Sequence, residues 1–389
     1  MTFNGYRYRI QISNAAGSIT SDVVTLTVTS PATPTGGTSA TSSCVDTSLG
    51  VCTIRDAGIT HIPLSRAGAN GLAVDARSGL VYVVINGETG AWCGGTQNYR
   101  EGLSIVDPAQ LRETALVATG PGPVWPLVDQ RRNKVYVAAS GAAGTVVVHT
   151  PVTGAIERSF TVGGRPHDLG LDPAGSLMLV SNTFDKSQTF ISLLNVDTGV
   201  VQANIQVPEL PHKVAVDELN RVAYAVSLGA GGITAVDLAT GTKRGSLSSG
   251  SIPQTSAMVY SPQRRSLYVG KTAGATNSGG TTVVGVDVAT GNLNAHVGTF
   301  MPAATTGTRP WGGFGLDDAN GLLYAAVGNS NYVAVVDLVT SKPVGLFEVA
   351  SCPWAVALDI PRGVGYVSSN GAAELTMFRL DQVMRALGR

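Results

Sequence analysis

Seven times along the chain an apolar run closes on a short polar residue, turns, and re-enters an apolar run: GLAVD ending at Asp75, PLVD at Asp129, LGLD at Asp172, VAVD at Asp217, MVYS at Ser261, FGLD at Asp317 and VALD at Asp359. The spacing is about 42 to 45 residues, with two longer copies. The runs after each turn (LVYVV, KVYVA, SLMLV, RVAYAV, SLYVG, LLYAAV and VGYVS) have the period-two pattern and β-branched or aromatic content of strands. A third run ends on a second anchor, at Asp107, Thr150, Asp197, Asp237, Asp287, Asp337 and Asp381. Repetition at this length predicts one four-stranded antiparallel sheet per copy, and such a sheet cannot bury both faces alone. The copies must therefore stack radially and close.

The ends of the chain predict how the ring closes. Only eight residues follow Asp381, and DQVMRALGR reads as a short helix, so the last copy lacks an outer strand. The segment ITHIPL, Ile59 to Leu64, precedes the first copy and has no sheet of its own, and is expected to complete the seventh. Composition agrees with a turn-rich β chain. Glycine accounts for 48 of 389 residues and charged residues for 13%, about half the usual ~25%.

The second strands and their ends (YVVIN at Asn86, LMLVSN at Asn182, YAAVGN at Asn329, GYVSSN at Asn370), followed by V-V-D-x-x-T and a later G-x-P, resemble the YVTN-repeat family of seven-bladed β-propellers. The resemblance spans residues 59–389 and implies an all-β, seven-bladed β-propeller closed by an N-terminal strand in blade 7. It leaves function open, because the family includes surface binding proteins and propeller domains of redox enzymes. Residues 1–30 resemble the last hairpin of a bacterial immunoglobulin-like domain, with Tyr8 where some relatives carry cysteine. Two strands alone are marginal in water, so a larger domain is expected upstream. Residues 31–58 read as a Thr/Ser/Gly/Pro-rich linker.

The longer copies locate the working face. In a blade, the connection from second to third strand and the one to the next blade open on the same side. The enlargements in copies one, three and five and between five and six all fall there. Long loops on a rigid scaffold are where binding residues gather. Just before the inner strands stand Asn70, Trp125, His167, His212, Gln254, Trp311 and Trp354, expected to ring the channel mouth, with Trp92 in the first insertion and Arg165 and Arg309 nearby. Two readings stay open: these residues plug the channel, or they form an aromatic-rimmed ligand site. His167 and His212 lack a repeating third ligand, so no metal is expected. Cys93 and Cys352 open on this face beside the seam, and Cys44 and Cys52 lie at the linker exit; two disulfides would suit an extracytoplasmic, periplasmic or surface location.

Equal numbers of basic and acidic residues, 26 each, create no bulk field toward nucleic acid or membrane, and no apolar run is long enough to span a bilayer. No signal peptide is legible at the start of the sequence. Gly270, Lys271 and Thr272 spell GKT without the first glycine of a phosphate loop, since Arg265 stands in its place. The recurring aspartates are expected to tie turns rather than to react. The reading is a monomeric, non-catalytic binding propeller, without cofactor, whose partner is a small molecule, polymer or protein. Single-stranded nucleic acid is a weaker candidate. The alternative is a lactonase-like, lyase-like or redox-enzyme propeller with its site at the same mouth.

Overall fold

The computed structural model describes residues 51–86, 101–172, 174–183, 189–228, 232–247, 257–270, 283–294 and 312–389 in full, together with the backbone of strands that extend from these or lie between residues 7 and 46. Two compact units are present, Met1–Thr41 and Ser42–Arg389. In the first, Gln11–Asn14 pairs antiparallel with Gly17–Thr20, and Arg7–Tyr8 with Val24–Thr25.

The second unit is all-β apart from a 3-10 turn and one helix among the described residues, Leu380–Ala386. Five four-stranded antiparallel sheets follow one another, each with its strands in sequence order. Their inner strands are Ala69–Val74, Pro123–Asp129, Pro166–Asp172, Pro211–Asp217 and Thr255–Ser261. Two more strand groups begin at Arg309–Asp317 and Pro353–Asp359 and merge into a ten-stranded sheet through a parallel bridge between Gly313 and Ala355. Glu374–Arg379 pairs antiparallel with Thr60–Pro63, Leu375 opposite Ile62. Each inner strand packs against the next, and Pro353–Asp359 packs against Ala69–Val74.

The second strands of the sheets are buried along their whole length, as in Val81–Ile85, Leu177–Asn182 and Val222–Ser227. Each sheet is covered on both faces by its neighbours, which is why these strands read as nearly continuous apolar runs. The outer strands Ile156–Thr161 and Thr242–Leu247 are mostly exposed and carry charge, which discourages pairing between chains. Lys342–Glu348 is different: it buries Leu346 and Phe347 and is covered by Cys52–Ile54, running parallel to it, with Cys44–Asp46 beyond. The stretch read as linker up to residue 58 thus contains two strands of the second unit, added because an outer strand this apolar needs a cover.

The aspartate anchors do tie turns. Asp75 Oδ1 accepts the Arg77 N–H at 3.1 Å, Asp237 Oδ1 that of Ala239 at 2.8 Å, and Asp337 Oδ1 that of Val339 at 2.7 Å. Two of the expected second anchors are misplaced. In the third sheet Asn195, opposite Leu177, takes the N–H groups of Asp197 and Thr198, each at 3.0 Å. In the last sheet that position is Arg379, opposite Val364, and Asp381 lies in the first turn of the helix. Both aspartates stand two residues too late, and their V-D and L-D spellings concealed the shift.

Candidate functional site

Near the start of each inner strand the ladder register shifts, for example between Pro123 and Trp125, Pro166 and Leu169, Pro211 and Lys213, and Pro353 and Ala355. Such an irregularity re-aims neighbouring side chains. Counting back from the anchors separates two sets. Five residues before the anchor stand Asn70, Val124, His167, His212, Ser256, Gly312 and Trp354; four before stand Gly71, Trp125, Asp168, Lys213, Ala257, Gly313 and Ala355. Trp125 belongs to the second set, not with the histidines as the sequence reading grouped it.

The first set interlocks adjacent sheets. The His167 and His212 rings lie 3.9 Å apart, centroid to centroid, and the two residues are only 5% and 9% exposed. Asn370 Nδ2 donates to Asn70 Oδ1 at 2.8 Å, joining the last sheet to the first. A Cβ on Gly312 would come within 2.7 Å of Trp354 Cδ1, so the indole of half-buried Trp354 lies directly on the backbone of the preceding strand group.

In the second set Trp125, Asp168 and Lys213 come together. A Cβ on Gly71 would stand 2.6 Å from Trp125 Cε3, and one on Gly313 would stand 2.9 Å from Trp125 Cη2. The half-buried indole therefore reaches from the second sheet to the backbones of the first and the sixth group, and only glycine permits both approaches. Lys213, from the fourth sheet, places Nζ 3.0 Å from the centroid of a Trp125 ring and 3.6 Å from Asp168 Oδ1. Asp168 Oδ2 accepts the Val214 N–H at 2.9 Å, which fixes the carboxylate.

Burial governs the protonation of this cluster. It pushes His167 and His212 well below the ordinary histidine range, reinforced by the nearby Lys213 charge and, for His167, first by His212. It lowers Lys213 to about 8 against the opposing pull of Asp168, and it raises Asp168 although Lys213 works the other way. The histidines are thus neutral at pH 7. Among the described residues no three His, Cys, Asp or Glu side chains converge as metal ligands.

Of the residues expected at the mouth, Asn70, His167 and His212 are buried between sheets and are not open to a ligand. Trp125 crosses the channel, Trp354 is half-buried at the start of its strand, and exposed Arg165 donates through Nε to the Ser140 carbonyl at 3.2 Å. Trp92, Gln254 and Cys93, and the side chains of Cys44, Arg309 and Trp311, lie outside the described residues. Lys213 and Asp168, legible in the sequence as charges of the loop-rich face, share with Trp125 the place four residues before the anchor, and that common spacing is the signal that groups them.

Stacked antiparallel sheets around such a channel make this a β-propeller-like all-β protein. Among solved structures, a chain of Kuenenia stuttgartiensis hydrazine synthase superposes with a TM-score of 0.69 at 16% identity, over 82% of this chain and 97% of that one. The likeness extends to the fold alone. No family model and no curated protein matches the sequence, so membership of the YVTN-repeat family is left as a resemblance. No helix among the described residues is long and apolar enough to cross a membrane.

Proposed function

We propose that this chain is a non-catalytic binding propeller of the YVTN-repeat type, with seven blades closed by Thr60–Pro63, which recognises a ligand on the face where the inner strands begin. The observation that carries the reading is the asymmetry of the two faces. On the anchor side the turns are short and laced from sheet to sheet: Arg132 Nε to Asp197 at 2.7 Å, Arg221 Nε to Asp172 at 2.9 Å, the Tyr260 hydroxyl to Asp217 at 2.8 Å, and Arg362 Nη1 to the Ala76 carbonyl at 2.7 Å. On the other side fall the longest intervals between consecutive strands, Ile85 to Gly102 and Val297 to Arg309, and half-buried Trp125 and Trp354 stand near the starts of their inner strands. A half-buried indole over a rigid backbone suits a flat apolar group of a small molecule, polymer or protein loop.

An exported, extracytoplasmic protein bearing an immunoglobulin-like module at its N-terminus fits the same reading. Cys52 and Cys352 carry disulfides, and we assign their partners as Cys44 and Cys93. Bridges of this kind persist in oxidising compartments. The test is an array of soluble glycans, peptides and oligonucleotides probed with the full chain, with Trp354→Ala, and with Leu219→Ala on the anchor face, where Leu219 is 91% exposed. Hits should weaken about tenfold or more in Trp354→Ala, the scale of losing an aromatic anchor, and persist in Leu219→Ala. Ligands lost only in Leu219→Ala would place recognition on the opposite face.

A further inference from the structure

The channel holds an amine whose bonding is incomplete. Lys213 is 2% exposed, yet its Nζ makes no hydrogen bond. An ammonium group offers three donors and no acceptor. Here one direction meets the Trp125 ring, and the nearest carboxylate oxygen, on Asp168, is 3.6 Å away, close enough for charge attraction and too far for a hydrogen bond. His212 Nδ1, on the adjoining residue, is also buried without a partner. Buried polar groups are ordinarily satisfied, and those left open concentrate at sites of chemistry.

Charge decides what such a site accepts. Lys213 and Asp168 neutralise each other, and His167 and His212, the other titratable groups facing them, are neutral at pH 7 because burial lowers both. An anion would leave the buried cluster with net negative charge, a heavy cost in a medium of low polarity. A carbonyl oxygen accepts from the ammonium without adding charge. Asp168 is held by the Val214 N–H, and its own N–H donates to Ser181 Oγ at 3.0 Å, so its free oxygen stays turned to the amine. Half-buried Trp125 covers the amine on one side.

We propose that Lys213 is a carbonyl-capturing nucleophile that forms an imine with a small aldehyde inside the channel, with Asp168 as its proton carrier. With the pair's shared proton on Asp168 the amine is neutral, and its Nζ lone pair adds to the carbonyl carbon, making the C–N bond while the C=O pair moves to oxygen and takes up that proton from Asp168. Asp168 removes a proton from nitrogen and returns it to the hydroxyl. The C–O bond then breaks and water leaves, so amine, aldehyde and the Asp168 proton become a protonated imine paired with the Asp168 carboxylate, and water, with no oxidant required. Burial, which lowers Lys213 to about 8, supplies the neutral amine near physiological pH. The capture is stoichiometric. It goes beyond the recognition reading, and the two fail separately: a ligand dependent on Trp354 without an imine leaves the first standing, and an imine without such a ligand leaves the second.

The experiment is reductive trapping of the full chain with acetaldehyde and sodium cyanoborohydride, read lysine by lysine by peptide mass spectrometry. Lys243 and Lys342, both exposed, are internal references. At pH 7.5 Lys213 should be ethylated about tenfold faster than either, because burial lowers it to about 8 and leaves more free amine than a lysine ordinarily keeps. Its rate should level off near pH 8, below the range in which a lysine ordinarily loses its proton. Asp168→Asn should slow Lys213 by about tenfold or more, the low end for loss of a proton carrier, and leave Lys342 unchanged. If that variant fails to fold, the wild-type pH profile decides. Labelling of Lys213 slower than the references, or a rate rising in parallel with theirs up to pH 10, overturns the proposal.

Discussion

Replacing Trp125 and Gly313 by alanine, singly and together, tests whether one side chain really crosses the channel. A fully buried Trp→Ala costs ~3–5 kcal/mol; because Trp125 is half-buried but also faces the Lys213 cation, about 2–4 kcal/mol is expected. For Gly313→Ala the new Cβ would lie 2.9 Å from Trp125 Cη2, 3.1 Å from Cζ2 and 3.3 Å from Ala355 Cβ. Overpacking of this kind costs ~1–3 kcal/mol. With the indole gone, most of the clash vanishes, so the double variant should be more stable than the sum of the single losses by about 1–2 kcal/mol. Urea unfolding followed by far-UV circular dichroism measures all four proteins without relying on the deleted fluorophore. Additivity within ~0.5 kcal/mol would mean that the two residues do not touch, and the channel layer described above would be wrong.

Other expectations follow from the same contacts. His167 and His212 are held neutral by burial, so below the unfolded value near 6.5 the unfolded chain takes up protons that the folded chain refuses, and stability falls with pH. The slope is at most about 1.4 kcal/mol per pH unit for each ring. Wild type should therefore lose more stability between pH 7 and 5.5 than a His167→Gln, His212→Gln variant, a comparison that leaves in place the opposite contribution of Asp168; equal slopes would contradict the burial argument. Ile62 is fully buried where Thr60–Pro63 meets Glu374–Arg379, and Ile62→Ala should cost ~2–4 kcal/mol and speed amide exchange at Leu375; loss of stability under ~1 kcal/mol would deny that pairing its role. Asn195→Ala, which removes a turn acceptor, should cost about 1 kcal/mol, as a lost helix cap does. Asp197→Ala breaks only a half-exposed ion pair with Arg132, worth less than ~1 kcal/mol. The reverse order in thermal melts would restore Asp197 as the anchor.

Much of the architecture is local and was therefore legible in the residues. A strand of alternating Val, Tyr and Ala next to an Asp-anchored turn is encoded within about ten positions, and seven spellings of it announced repeated four-stranded sheets; Ile59 to Leu64, left without a sheet, pointed to its partner in the last group. Where the spelling slipped, at Asp197 and Asp381, the backbone register at Asn195 and Arg379 corrected it. The cover that Cys52–Ile54 provides for Lys342–Glu348 was not legible, because nothing in a Thr-rich and Ser-rich stretch names a strand nearly three hundred residues away.

The channel was decided only by the tertiary structure. Whether a residue five or four before its anchor stacks between sheets or points inward depends on the register shift at each strand start, and a shift of one residue exchanges the two environments. So His167 and His212, spelled like ligands, pack against each other, while Trp125, Lys213 and Asp168 meet across sheets that the sequence separates by whole repeats. Periodicity can reveal how many sheets there are. It carries no record of which side chain reaches furthest toward their common axis, since that follows from the small residues opposite, Gly71 and Gly313, which leave the room.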